Sequence, residues 1–213
     1  MLTVHHLRQS QSERIVWLCE ELGLDYRLEC YDRNASDRLA PPAYKALHPM
    51  GTAPVIHDGD LVLGESGAIV EYILARYGPG TLTRAPDHPD FAHYLYWLHF
   101  ANGTLQPNLG RNMMLRRLKV PDDNPIASAM RTRLELVLAQ VENRCAQAAF
   151  LAGASLSAAD IMSVFCLTTM RLFYPLDLAP YPQVRAYLQR IGQRDAYRRA
   201  MQKGDPGMVP MLQ

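Results

Sequence analysis

The sequence predicts an α+β domain, a mixed four-stranded sheet with helices packed on it, followed by an all-α domain. Three observations carry this. The first eighty residues alternate between short β-prone runs and amphipathic helical runs, in the order β-α-β-α-β-β-α. Gly78-Pro79-Gly80 and the turn-forming residues up to Pro89 then interrupt the pattern. Beyond Pro89 every periodic segment reads as helix.

The elements follow in order. Residues 2–6 are short and β-prone. Over residues 12–23, Ile15, Val16, Leu18, Cys19 and Leu22 fall at helical spacing, and Gly23 supplies the stop. Residues 26–30 read as the second strand, and a polar loop leads to a short helical stretch around 44–47. Residues 54–57 and 61–63 flank Asp58-Gly59-Asp60, in which Gly59 is the hairpin signal. Residues 66–77 place Ile69, Val70, Ile73 and Leu74 on one helical face. Residues 1–80 form the first domain, 81–88 the linker and 89–213 the helical domain. In the latter, Pro89 can open a helix running to about 118, and Pro125 a second one ending near 149. Segments 157–173 and 181–199 complete it.

Composition narrows the function. With 22 Lys+Arg against 21 Asp+Glu the formal net charge of the 213 residues is +1, which argues against a nucleic-acid binder. Hydrophobic content of 48% and charged content of 20% are those of a globular protein, not a disordered one. Cys19, Cys30, Cys145 and Cys166 form no CxxC pair and sit among apolar residues, so they read as free buried thiols in a reducing cytosol. The N-terminus lacks the apolar core of a signal peptide, and no apolar run approaches the ~20 residues of a membrane span. A cytoplasmic protein with no membrane partner is expected. His5 and His6 are adjacent on a strand, where side chains point to opposite faces, so they make no metal site, and none is expected elsewhere.

Several motifs carry chemistry. Pro54 opens a strand, a position that tolerates its missing N–H. Ser66 heads a helix, whose unpaired N–H groups and positive end suit a carboxylate. Ser10-Gln11-Ser12-Glu13 fits a capping box, and so does Ser157-Ala158-Ala159-Asp160, which makes Asp160 a structural rather than a catalytic acid.

Taken together, these pieces resemble the cytosolic glutathione transferases, closest to the serine-type microbial and fungal ones. The resemblance rests on His48-Pro49-Met50-Gly51-Thr52-Ala53-Pro54-Val55 before the third strand, on Glu65-Ser66 before a helix, and on Phe150-Leu151-Ala152-Gly153 followed by Ser157 to Ile161. It covers essentially the whole chain. It implies a thioredoxin-like first domain and glutathione as co-substrate. Pro54 is then cis, and Val55 offers its N–H and C=O to the tripeptide as an added strand would. Ser66 takes the γ-glutamyl carboxylate and Glu65 its ammonium. Thr52 stands where the family commonly has a cation, a loss that Arg38 or His48 offsets. Ser10 is the implied catalytic donor that holds the thiol as thiolate, with Ser12 as its competitor and plain helix capping as the alternative for both. No Cys or Tyr stands between residues 6 and 18, so the cysteine-type and tyrosine-type sites of the family do not apply.

A small electrophile or peroxide is the implied second substrate, held by Phe100, Asn102, Gln106, Met113 and Tyr174. This set mixes apolar and polar groups as a binding cleft requires. Homodimerisation and a detoxifying role follow from the resemblance. Two alternatives stay open: a glutathione-dependent disulfide reductase on the same fold, and a non-catalytic glutathione- or ligand-binding regulator.

Overall fold

The computed structural model describes residues 1–213. Its elements are β1 (Leu2–Leu7), α1 (Glu13–Leu22), β2 (Arg27–Tyr31), α2 (Pro42–Lys45), β3 (Val55–Asp58), β4 (Leu61–Gly64) and α3 (Ser66–Tyr77). They continue with α4 (Phe91–Phe100), α5 (Gln106–Arg117), α6 (Pro125–Gln147), α7 (Ala158–Leu167), α8 (Pro182–Gly192) and α9 (Asp195–Gly204). The four strands lie in the order β2-β1-β3-β4. β1 runs parallel to β2, which requires a crossover, and α1 supplies it. β3 is antiparallel to both β1 and β4, and Gly59, at φ 60°, turns the hairpin between β3 and β4. Val4, Val55 and Ile56 of the sheet and Ile15, Leu18, Ile69, Val70 and Ile73 of α1 and α3 are all buried and form the first core. The predicted α+β arrangement with a following helical part is therefore present.

The structure departs from the sequence reading at four places. Cys30 is exposed, not buried, because β2 is an edge strand. The stretch 89–118 is broken by a π-helical turn, Ala101–Leu105, between α4 and α5. The stretch 181–199 is two helices, α8 and α9, and 157–173 is α7 followed by a 3₁₀ turn, Thr169–Leu172. The chain forms two compact units, each drawing on two stretches of sequence. One unit is Met1–Thr83 together with Gly192–Pro210, and the other is Arg84–Ile191 with Met211–Gln213. The last helix joins the first unit because its buried face, Ala196, Tyr197, Ala200 and Met201, packs on α1. Trp17 meets Tyr197 edge-on there, with centroids 5.0 Å apart.

In the second unit the capping box at α7 is formed. The Asp160 carboxylate accepts the Ser157 backbone N–H at 2.9 Å and its hydroxyl at 3.1 Å. It also accepts the Leu151 N–H at 2.8 Å and the Tyr187 hydroxyl at 3.0 Å. Burial pushes the Asp160 carboxyl up, and these four donors pull it back toward the charged form. No helix is long and apolar enough to cross a membrane.

Candidate active site

The turn between β1 and α1 carries the two serines. α1 opens at Glu13 with Ser12 at the cap position, so Glu13 is the first helical residue and not the third, as a Ser10 capping box needs. Ser10 is thereby left in the turn, where its Oγ accepts the Ser12 N–H at 3.2 Å and lies 2.8 Å from Ser12 Oγ. Ser12 is more committed. Its Oγ accepts the Leu7 N–H at 3.1 Å and lies 2.8 Å from His6 Nδ1. His6 in turn meets Asp205, beyond α9, through Nε2 at 3.1 Å.

Two further segments are tied to this turn. The Ala53–Pro54 peptide is cis, and Val55 follows it fully buried, in register with His5 and Gly64. Gln11 Nε2 donates to the Ala53 carbonyl at 2.9 Å, so the serine-bearing turn and the proline loop are joined directly. Arg14, buried in α1, donates to Gln11 Oε1 at 2.8 Å and to Ser66 Oγ at 3.1 Å. Ser66 is the first residue of α3, and Glu65 before it holds a left-handed φ of 66° with its side chain exposed. A non-glycine residue in that region carries about 1–3 kcal/mol of strain, which Glu65 retains beside a helix N-terminus. Gln11 and Arg14 thus bring Ser10, Pro54, Val55 and Ser66 together around β1, β3 and α3.

The cationic candidates fall differently. Arg38 is exposed at φ 62° and its guanidinium donates to Gln9 Oε1, one residue from Ser10. Arg33 holds the same turn by donating to the Arg8 carbonyl at 2.9 Å and the Gln9 carbonyl at 3.1 Å, and to the Arg38 carbonyl at 2.9 Å. The His48 ring covers Gly64, where an added Cβ would lie 3.3 Å away, so it stands beside the residue that precedes Glu65. Thr52 is exposed in the proline loop. Sequence reasoning assigns no role here to Arg14, Arg33, His6 or Asp205. An arginine directly before the apolar run Ile15 to Cys19 is the one signal that could mark Arg14.

The second-substrate candidates are less gathered. Phe100 is buried, stacked on Tyr96 and edge-on to Trp97. Asn102 lies in the π-helical turn, which also positions Gln106 at the start of α5. Gln106 Oε1 lies 3.9 Å from the Cys166 thiol. Met113 is half-buried on α5. Tyr174 lines a cavity of about 360 Å³ with Asn112, Arg116, Lys119 and Arg131, and its lining does not include the other four. Burial pushes the Tyr174 hydroxyl up, against the pull of Arg116 and Arg131.

Comparison with known proteins agrees with this geometry. The model of the glutathione S-transferase N-terminal domain matches residues 10–76, and that of its C-terminal domain matches residues 124–190. The chain is 32% identical to glutathione S-transferase 3 of Schizosaccharomyces pombe, over 100% of this chain and 91% of that one. A glutathione S-transferase structure from Actinobacillus pleuropneumoniae superposes with a TM-score of 0.87 at 34% identity, covering 100% of this chain and 98% of the other. A theta-class glutathione S-transferase of Xanthomonas axonopodis pv. citri, solved with glutathione bound, gives a TM-score of 0.70 at 28% identity, over 93% and 96% of the two chains. A sheet-and-helix unit and a helical unit, a serine-bearing turn tied to a cis-proline loop, and likeness along the full chain lead to one conclusion: this chain is a member of the glutathione S-transferase family of enzymes.

Proposed function

We propose that the protein is a glutathione transferase that binds glutathione in its first unit and holds the thiol as thiolate at Ser10. The observation that carries this reading is the Gln11–Arg14 tie, which sets the Ser10 turn, the Ala53–Pro54 loop and the Ser66 helix start about one place. The Val55 backbone pairs with the tripeptide, the α3 N-terminus and Ser66 take its γ-glutamyl carboxylate, and Glu65 pairs with its ammonium. Arg38, His48 and Thr52 are the candidates for the glycine carboxylate.

The chemistry needs the thiolate, since that is the nucleophile. A free thiol titrates near 8.5, so the site must lower it by one or two units, at ~1.4 kcal/mol each. A hydroxyl donor and a nearby helix N-terminus both act in that direction. The thiolate then attacks an electrophilic carbon or a peroxide oxygen of a second substrate, for which Phe100, Asn102, Gln106, Met113 and Tyr174 are the candidate contacts. Family membership adds a homodimer and a detoxifying role in the cytoplasm to the reading.

The test is the thiolate absorbance of bound glutathione at neutral pH, with turnover of an aryl halide beside it. Ser10→Ala is expected to remove most of the thiolate signal and to lower turnover about 10- to 100-fold, the range of one hydrogen bond to a charged group. A full thiolate signal in Ser10→Ala would remove Ser10 from the role. Turnover of mixed disulfides with none of aryl halides would replace the transferase by a disulfide reductase.

A further inference from the structure

Behind Ser10 runs a chain of three hydrogen bonds that the reading above does not use. Asp205 Oδ2 meets His6 Nε2 at 3.1 Å, His6 Nδ1 meets Ser12 Oγ at 2.8 Å, and Ser12 Oγ meets Ser10 Oγ at 2.8 Å. All four belong to the first unit, and their exposures are 4%, 0%, 0% and 5% from Asp205 to Ser10. The end of α9 lies so close that a Cβ at Gly204 would stand 3.0 Å from His6 Nε2.

The donors and acceptors fix a direction. A carboxylate can only accept, so the Asp205 contact puts a proton on Nε2, and in the neutral imidazole Nδ1 is then the acceptor. The Ser12 hydroxyl then donates to Nδ1, the nearer of its two acceptors, with the Leu7 carbonyl at 3.2 Å. Ser12 Oγ already accepts the Leu7 N–H at 3.1 Å and has one lone pair left, which faces Ser10. Ser10 donates to it, accepts the Ser12 N–H, and keeps one lone pair for an incoming proton.

We propose that Asp205, His6 and Ser12 form a proton relay for the glutathione thiol, an inference that rests on the transferase reading of Ser10. As the S–H bond breaks, its proton goes to Ser10 Oγ, that of Ser10 to Ser12 Oγ, and that of Ser12 to His6 Nδ1. One S–H bond is lost and one N–H bond is formed. Each hydroxyl loses one proton and gains one. A neutral thiol and a neutral imidazole become a thiolate and an imidazolium, and the Asp205 carboxylate stabilises the latter. The O–H that Ser10 gains points back at the sulfur, so the same step makes it the thiolate's donor. Ser10 is the catalytic residue, and Ser12, His6 and Asp205 are positioning residues that act through it.

The surroundings are charge-balanced. Arg8 donates to the Gly204 carbonyl and pairs with Asp32 at 2.9 Å, and Arg33 is attracted to Asp205. Cys30 stands beside His6 in the sheet register, and although its side chain reaches solvent, partial desolvation pushes its thiol up, so it does not compete as a base.

Counting protons in the intact protein tests the relay. Glutathione is added in weak buffer at neutral pH, thiolate is read by absorbance and released protons by an indicator dye, with S-methylglutathione as the baseline. The relay keeps the proton on the protein, so much less than one proton is released per thiolate formed. One proton released per thiolate overturns it. Asp205→Asn keeps an oxygen for the Gln9 N–H that Asp205 Oδ1 accepts at 2.9 Å. Its amide donates to Nε2, forces the proton onto Nδ1 and blocks the relay. At least a tenfold drop in thiolate fraction with unchanged S-methylglutathione affinity is expected. Ser12→Ala cuts the chain independently, should the Asn variant not fold, and the same drop is expected. An unchanged thiolate in either variant overturns the relay while leaving Ser10 its role. Failure of the wild type to bind glutathione, or to form thiolate on binding it, overturns both readings.

Discussion

Glu65 is held in a conformation that a glycine would adopt without strain, with φ at 66° and ψ at 112°. A residue kept at such a position for its side chain separates stability from function. Glu65→Gly is expected to leave stability unchanged or raise it by about 1 kcal/mol, the strain relieved less the entropy of a glycine. In the same variant the KM for glutathione is expected to rise about tenfold or more if Glu65 pairs with the ammonium as proposed. A variant destabilised with normal KM would show Glu65 to be structural. His5 makes a second residue-scale case. Burial first, then the nearby His57 and Arg27 charges, hold its imidazole below its usual value despite Glu29. The His57 ring centroid is 4.6 Å away, and Tyr31 Oη is 3.0 Å from His5 Nδ1. The folded state therefore favours neutral His5. Its contribution to stability is complete above ~6.5, the unfolded value, and is lost as the pH falls through the lower folded one. Melting temperatures from pH 8 to pH 5 should decline more steeply in the wild type than in His5→Gln. At this scale, Ser10, Pro54, Val55 and Ser66 can be singled out in the sequence because the motifs that carry the resemblance depend on residue type and local spacing. Arg14 and Asp205 are not, since their roles depend on partners 52 positions away in one case and 199 in the other.

Elements are legible wherever a local signal ends them. Gly23, at φ 60°, closes α1 by donating its N–H to the Cys19 and Glu20 carbonyls, as a glycine past a helix end does. Asn124 caps α6 by accepting the Ile126 and Ala127 N–H groups at 3.0 and 3.1 Å, with Pro125 behind it. The break between α8 and α9 carries weaker signals, Gly192 and the acidic start at Asp195, and the apolar period of Val184, Leu188 and Ile191 masks it. The π-helical turn has none, because one extra residue in a helical turn leaves the pattern nearly intact. Ser157 shows what a legible cap is worth. Its hydroxyl and N–H are both bonded to the buried Asp160 carboxylate, which also ties Leu151 and Tyr187 to α7. Ser157→Ala is expected to cost about 1 kcal/mol or somewhat more, lowering the melting temperature by about 2–4 °C in a chain of this size. Glutathione turnover should be unaffected at 25 °C. An unchanged melting curve would show that Asp160 holds the helix start without the hydroxyl.

At the scale of the whole molecule, the chain leaves its first unit at Thr83 and returns to it at Gly192. That return is invisible to composition and periodicity, because α9 reads as an ordinary amphipathic helix and its charges as a solvated face. Its cations are in fact committed. Arg194 makes two 2.7 Å bonds to Glu21, while Arg199 at 3.0 Å and Lys203 at 2.5 Å converge on Glu20. Burial pushes the Glu20 carboxyl up, but the hydrogen bonds from Lys203, Tyr26 and Arg199 outweigh it and hold the group low. Half-exposed ion pairs of this kind contribute little each. Apolar burial contributes more: Trp17, Tyr197 and Met201 are buried in this contact, at about 1.5–3 kcal/mol for each large side chain. A sum of ~5 kcal/mol or more is comparable with the entire stability of a typical domain. A chain ending at Ile191 should therefore lose its first unit and keep much of its second. In a Trp97→Phe background, tryptophan fluorescence from Trp17 should report unfolding in urea at a much lower midpoint than the helical signal at 222 nm. Thiolate formation should be absent, as the Ser10 turn loses the Asp205 contacts to His6 and Gln9. Supplying residues 192–213 as a separate peptide should restore both signals in proportion to its binding. A truncated chain that melts as the full one does, with its thiolate intact, would mean that α9 merely lies on a unit already stable without it.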